Sequence, residues 1–238
     1  MTSVAQSLRE QVAWASRILA TEGYADLTLG HVSARDSDGR VYIKRKGVAL
    51  DEVEPDDIVE FSLGDPASVF APDMHLEAVL HQAVYQARPD VGAVVHGHPP
   101  YSTALGATDA PLELLTHDAV LFADGVPVFE GSPELVLDAD QGRAVAAALG
   151  PHRAVLLCNH GVLVTGKDVP WATLCAATLE RAARIQSIAH TFGSLRPIPA
   201  GAALAMHADK YRDAFVQEYW AAWLRKLGRL GADARMRT

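Results

Sequence analysis

Only two of the 238 residues are cysteine, Cys158 and Cys175. Two cysteines exclude the disulfide framework of small secreted domains and make the reducing cytoplasm the expected compartment. No apolar run reaches the roughly 18 residues that a membrane span needs. The N-terminal stretch carries Arg9 and Glu10 where a signal peptide would have its apolar core, so it reads as an amphipathic first helix. Positive charge is also short. Lys and Arg number 21 against 29 Asp and Glu, and a formal charge of −8 argues against nucleic acid as the main partner. Repeats, low-complexity runs and linker-like stretches are missing as well. With 49% hydrophobic residues, the length suits one sizeable core, and the expectation is a single domain over 1–238.

What is present is an alternation of helical and strand-like patterns. Residues 3–22 form an amphipathic helix closed by Gly23. Segments 39–47 and 57–65 read as short strands bounded by turns. Residues 73–90 read as a helix with Asp73 as N-cap and Pro89 past its end. Strands follow at 91–98, 154–161 and 162–166, and helices at about 138–149, 168–192 and 205–229. The sum is one α/β domain with histidines on its loops.

The apolar run "AVVHGHPPYSTA" (93–104) ends in two imidazoles, His96 and His98, on either side of Gly97. Residues i and i+2 of a strand share a face, so both rings can approach one metal ion. Alone, such a pair also fits two unrelated strand-end histidines. A second apolar strand delivers Asn159–His160–Gly161 in the same way. Three imidazoles with a fourth position open are the donor set of a catalytic rather than a structural metal. Glu77 and His81, four residues apart, share a helix face beside Leu76, Leu80 and Ala83. Glu77 is either a solvated first-turn carboxylate or, next to a dication, a fourth ligand or proton-transfer group.

Three ordered blocks, "LTLGHVSAR" (27–35), "EAVLHQAVYQARPDVGAVVHGHPPYSTAL" (77–105) and "LLCNHGVLVTGKDVPWA" (156–172), resemble the class II aldolase and adducin family. That family includes fuculose-phosphate aldolases and ribulose-phosphate epimerases. The resemblance implies a three-layer α/β/α sandwich around a mostly antiparallel central sheet. It also implies one divalent metal per chain held by His96, His98 and His160, with Glu77 as acid/base and occasional ligand. Zinc or manganese is expected ahead of cobalt or iron. Many members are tetramers with active sites between subunits, so a homo-oligomer, with the 205–229 helix at its interface, is expected. That helix carries Tyr211, Phe215, Tyr219, Trp220 and Trp223, a stripe that suits core or interface. In the family, the region equivalent to "LLTHDAVLFADGVPVF" (114–129) serves a neighbouring site. His117 or Asp118 is therefore a candidate proton donor, against the plainer reading of a packed histidine and a turn-forming aspartate.

The chain departs from the sugar-phosphate members where they bind phosphate. It has Gly30–His31 for their Gly-Asn, Lys46–Gly47 for Thr-Gly, and His75–Leu76 for a Ser-Ser pair. Small hydroxyl and amide groups give way to larger cationic or imidazole ones, with Lys44, Arg45 and Arg35 nearby in sequence. Such donors suit a carboxylate, although the 44–46 run also fits a solvated edge strand. Candidate substrate residues are thus His31, Arg35, Lys46, His75 and Tyr211. The pattern resembles the non-phosphate branch that includes dihydroxyphthalate decarboxylase. The first expectation is a metal-dependent decarboxylase of an ortho-hydroxy aromatic carboxylate. The second is an aldolase for an unphosphorylated hydroxy-keto acid or a sugar phosphate. An adducin-like interaction module and a metal-dependent oxygenase are weaker fits.

Overall fold

Apolar runs bounded by glycine or proline turns become strands here, and the central strands of the sheet bury both of their faces. The computed structural model describes residues 4–131 and 134–235. Among these, β1 (His31–Arg35), β2 (Arg40–Lys44), β3 (Ile58–Ser62), β4 (Ala93–Gly97), β5 (Val128–Phe129), β6 (Ala154–Leu157) and β7 (Gly161–Gly166) form one sheet. Its order is β3-β2-β1-β4-β7-β6-β5, antiparallel except for the β5–β6 pair.

Two layers of helix cover the sheet. On one face lie α1 (Val4–Leu19), α3 (Pro100–Gly106), α5 (Val169–His190) and α7 (Asp213–Arg235), packed on Val32, Ala93, Val95, Leu156, Val162 and Val164. On the other, α2 (Ala78–Ala87) and α4 (Ala139–Leu149) cover Val41, Ile43, Val94, Val155 and Leu163. The alternation along each strand, such as Val94 down and Val95 up, is the two-residue period of extended chain. This is the expected α/β/α sandwich with its largely antiparallel sheet. No described helix is long and apolar enough to cross a membrane.

Several boundaries differ from the sequence reading. The first helix ends at Leu19 and passes through a wider turn, Ala20–Tyr24, in which Gly23 adopts φ +106°; position 3 lies outside the described residues. The segment 27–35 supplies an additional strand, β1, that periodicity did not single out. Helix α2 starts at Ala78 rather than 73, because residues 72–77 form successive turns, in which the Asp73 carbonyl accepts from the Lys46 amide at 3.2 Å. The terminal helix is two helices, α6 (Ala200–Lys210) and α7, broken at Tyr211. Tertiary contacts override local helix preference there. The Tyr211 hydroxyl donates to the Asp118 carbonyl at 2.7 Å, and Asp213 accepts from Trp171 Nε1 at 2.9 Å. Of the aromatic stripe, Trp220 is buried while Phe215 and Tyr219 remain exposed.

One buried carboxylate anchors the segment that follows the His96–His98 pair. Glu180 of α5 accepts from the Tyr101 amide (3.0 Å), the Ser102 amide (2.8 Å) and the Ser102 hydroxyl (2.7 Å), so it satisfies the first turn of α3. Glu180→Ala leaves those donors buried and unpaired. Unfolding in urea should show a loss of about 3 kcal/mol, the scale for stranded buried polar groups. An unchanged midpoint would contradict this role for Glu180.

Candidate metal centre

The register of three neighbouring strands sets the site. His31 of β1 pairs with His96 of β4, and His96 with Leu163 of β7. Strand β4 ends at Gly97, so His98 turns out of the sheet while remaining beside His96, with ring centroids 5.1 Å apart. His160 arrives from the β6–β7 hairpin, whose tight loop is closed by the His160 amide on the Leu157 carbonyl at 3.0 Å. Asn159 takes φ +56° in that loop, a left-handed conformation that asparagine tolerates better than most residues. Gly161 is required by close approach. A Cβ there would lie 2.5 Å from the Gly97 carbonyl oxygen and 2.7 Å from the His98 ring.

Glu77 enters from the opposite layer, at the residue before α2. Its Oε2 lies 3.3 Å from His96 Nε2, and its Oε1 lies 3.4 Å from His160 Nε2. One ligand atom from each of Glu77, His96, His98 and His160 lies within 4.8 Å of every other. Tetrahedral bonds of about 2.1 Å imply a ligand separation of about 3.4 Å, close to the two shortest contacts.

Hydrogen bonds behind the rings determine which nitrogens face inward. His96 Nδ1 lies 2.9 Å from the Val162 carbonyl, which can only accept, so the ring proton sits on Nδ1 and Nε2 carries a lone pair. His98 Nδ1 lies 3.0 Å from Asp26 Oδ2, the carboxylate–histidine pairing that orients a metal ligand. Glu77 Oε1 accepts from the Val136 amide at 3.0 Å. The Nε2 atoms of His96 and His160 are buried without a hydrogen-bond partner among the described residues. Lone pairs aimed at a carboxylate repel it, and a cation between them removes that penalty. The donor set therefore fits a divalent metal.

Burial sets the charge of the surrounding groups. It pushes the His98 imidazole down, with His96 adding to the effect and Asp26 opposing it. His75 falls to about 3 through burial and the nearby Lys44 and His96. Burial acts to raise the Glu77 carboxyl, while the Val136 amide that donates to it acts to lower it. A metal held here would need a deprotonated carboxylate and imidazole lone pairs.

The remaining sequence candidates are dispersed. His75 stands beside the centre, its ring 3.8 Å from that of His31, and His31 lies 5.1 Å from His96. Lys46 is exposed on the turn tied to Asp73, four residues ahead of Glu77. Arg35 is at the far end of β1, about 13 Å along the strand from His31 at 3.3 Å per residue. Its guanidinium donates to the carbonyls of Tyr85 (3.1 Å) and Arg88 (3.3 Å). Lys44 points inward to the Thr28 carbonyl at 2.9 Å, so it is a buried strut and not a surface cation. His81, expected to share a face with Glu77, does so but reaches His31 instead of the centre, at 2.6 Å. Tyr211 and Asp118 meet by a hollow of about 390 Å³ between α5 and α7, with Arg181 3.8 Å from Asp118. His117 precedes Asp118 in sequence, and neither belongs to the Glu77 cluster. Asp26, Val136 and Val162 had no readable signal, since they lie 72, 59 and 66 residues from the side chains they hold.

Metal analysis of the isolated protein should give one divalent ion per chain, removable by chelation. Alanine at His96, His98 or His160 should drop the content well below that of the parent. Full stoichiometry in any one of them excludes that residue as a ligand. Asp26→Ala should weaken affinity about ten- to a hundred-fold, as loss of an outer-shell partner does.

Comparison with known proteins agrees with this geometry. The family described as class II aldolase and adducin N-terminal domain matches residues 10–187. A 4-hydroxy-3-prenylphenylpyruvate oxygenase/4-hydroxy-3-prenylbenzoate synthase of Streptomyces roseochromogenus subsp. oscitans is 38% identical over 121 residues, 51% of this chain and 44% of that protein. The match thus spans under half the length of that relative. A 3,4-dihydroxyphthalate decarboxylase of Terrabacter sp. (strain DBF63) is 32% identical over 213 residues, 81% of this chain and 85% of that one. Among solved structures, an aldolase II superfamily protein from Pseudomonas syringae superposes with a TM-score of 0.83 at 26% identity, over 98% of this chain and 96% of the other. The chain belongs to the class II aldolase and adducin family.

Proposed function

We propose that this protein is a metal-dependent carbon–carbon lyase that decarboxylates an aromatic acid bearing a hydroxyl beside the carboxylate, with a second anionic group on the ring. The observation that carries this reading is the approach to the centre. The His75 ring lies on His31 at 3.8 Å, and Leu76, next to Glu77, is 61% exposed. Leu29 and Leu135 are also exposed, on the segments that carry Asp26 and Val136. An imidazole-faced approach suits a flat anionic ring, and His31, His75 and Leu76 themselves offer no hydroxyl to a tetrahedral phosphate. The similarity to a dihydroxyphthalate decarboxylase over most of both chains supports the same choice.

The ligands are His96, His98 and His160, with zinc or manganese the favoured ion. A divalent metal held there supplies a Lewis acid that stabilises negative charge on the oxygen beside the breaking bond. Glu77 takes the substrate hydroxyl proton on a carboxylate oxygen. His31, His75 and Lys46 orient the second anionic group. Loss of CO₂ leaves its electron pair on the ring carbon, which must receive a proton. Glu77 returns the one it took, or His117 or Asp118 of a neighbouring copy delivers one. The last role requires a homo-oligomer, for which the exposed Phe215 and Tyr219 of α7 offer a surface.

Assay of CO₂ release from dihydroxyphthalate-type acids, beside aldehyde release from hydroxy-keto acids and sugar phosphates, tests the reading. Decarboxylation restored by adding metal to chelated enzyme is expected. Aldehyde release with no CO₂ would favour aldol cleavage instead. Glu77→Gln should lose at least about 10²-fold in kcat, the scale of a general acid.

Light scattering at micromolar concentration should report a mass well above the 25.5 kDa of one chain. A monomer would remove the neighbouring copy from the mechanism.

A further inference from the structure

Leu27 is both strained and exposed. Its φ is +47°, in the left-handed region that residues other than glycine enter at a cost, and 84% of its surface meets solvent. Burial of its own side chain does little to hold it there, so the restraint comes from its neighbours. The Leu29 amide donates to the Asp26 carbonyl at 2.9 Å and closes Asp26–Leu29 into a tight turn. Two ties fix that turn. At its start, Asp26 Oδ2 lies 3.0 Å from His98 Nδ1. Two residues on, the Thr28 carbonyl accepts from Lys44 Nζ at 2.9 Å.

Lys44 reaches the turn from inside the molecule. It is fully buried at the end of β2, where it pairs with Ile58 of β3, so its backbone belongs to the sheet. Its ammonium also donates to the Val48 carbonyl. Both acceptors are neutral, which compensates a buried charge only in part. Ahead of the turn, the Tyr24 hydroxyl donates to the Ala176 carbonyl at 3.0 Å. The Tyr24 ring lies against Gly97, where a Cβ would come within 2.9 Å of it. The direction of each of these bonds is fixed, because an ammonium or phenol donates and a carbonyl accepts. Asp26 is thus the member of an anchored segment that faces the centre.

We propose that Lys44 is a positioning residue for the metal centre. By holding the Thr28 carbonyl it keeps the turn in its left-handed form and Asp26 aimed at His98 Nδ1, so that the ring offers Nε2 to an ion. It acts through Asp26, as a support for the partner of a ligand. The inference rests on the reading of Glu77, His96, His98 and His160 as a metal site and is independent of the substrate.

Zinc affinity, measured by competition with a chromophoric chelator in a double-mutant cycle, tests this. Asp26→Ala should bind zinc about ten- to a hundred-fold more weakly and Lys44→Met about ten-fold. Because Lys44 acts through Asp26, the double variant should be no weaker than Asp26→Ala alone. Losses that multiply would show that Lys44 supports the centre by another route, and would overturn the proposal. So would parental affinity in Lys44→Met. Should Lys44→Met fail to fold, hydrogen exchange in the parent decides. Zinc should slow exchange of the Leu29 amide, since a turn that favours zinc is favoured by it, and an unchanged rate overturns the proposal. A parent that takes up no zinc overturns the centre and this inference together, whereas the other adverse outcomes overturn the inference alone.

Discussion

Mutual repulsion among Glu77, His96, His98 and His160 is the constraint on which the rest of the structure turns. Four potential ligand atoms within 4.8 Å of one another, two of them buried nitrogens without a hydrogen-bond partner among the described residues, are unfavourable unless the backbone holds them and a cation joins them. The backbone does hold them. Strands β1, β4 and β7 are hydrogen-bonded along their lengths, and the glycines at 97 and 161 let two of the ligand-bearing segments touch. Slippage of β4 by one residue would turn His96 to the opposite face and dissolve the centre.

Helix α2 is the second determinant. Glu77, His81 and Tyr85 recur at intervals of four and lie on one side, over β1 and β4. The first member goes to the centre, the other two to Ser33 and His31. A single helix face thus supplies a carboxylate to the metal ligands and a set of hydrogen bonds to the ring beside them. The neighbouring Leu80, Ala83 and Val84 pack into the apolar core, so the polar stripe is held as rigidly as the core itself. His81, Ser33 and Tyr85 are paired with one another, while His96 and His160 of the cluster each leave a buried Nε2 without a partner among the described residues.

The cluster of Glu77, His96, His98 and His160 and the imidazoles beside it come from different parts of the sequence. Strand β4, the β6–β7 hairpin and the residue before α2 supply the cluster, and β1 with residues 73–76 supplies His31 and His75 beside it. Such separation lets one fold serve several reactions through its loops.

The cluster of Glu77, His96, His98 and His160 was legible in the sequence because each sits at the end of an apolar strand or beside a periodic helix, where local pattern and chemistry coincide. Asn159–His160–Gly161 and His96–Gly97–His98 announced themselves in this way, as did the α/β alternation. What the sequence could not determine was the pairing across distance. Asp26 behind His98, the Val162 carbonyl behind His96, and Tyr85 and Ser33 behind His81 are joined by sheet register and helix docking over dozens of residues. The same holds for candidates that moved. Arg35 and Lys44 are cations in a basic-looking stretch, yet the strand carries one to the far end of the sheet and turns the other inward onto the Thr28 carbonyl. Residue type sets which bonds a side chain can make, and only the tertiary structure decides which partner comes within about 3 Å of it.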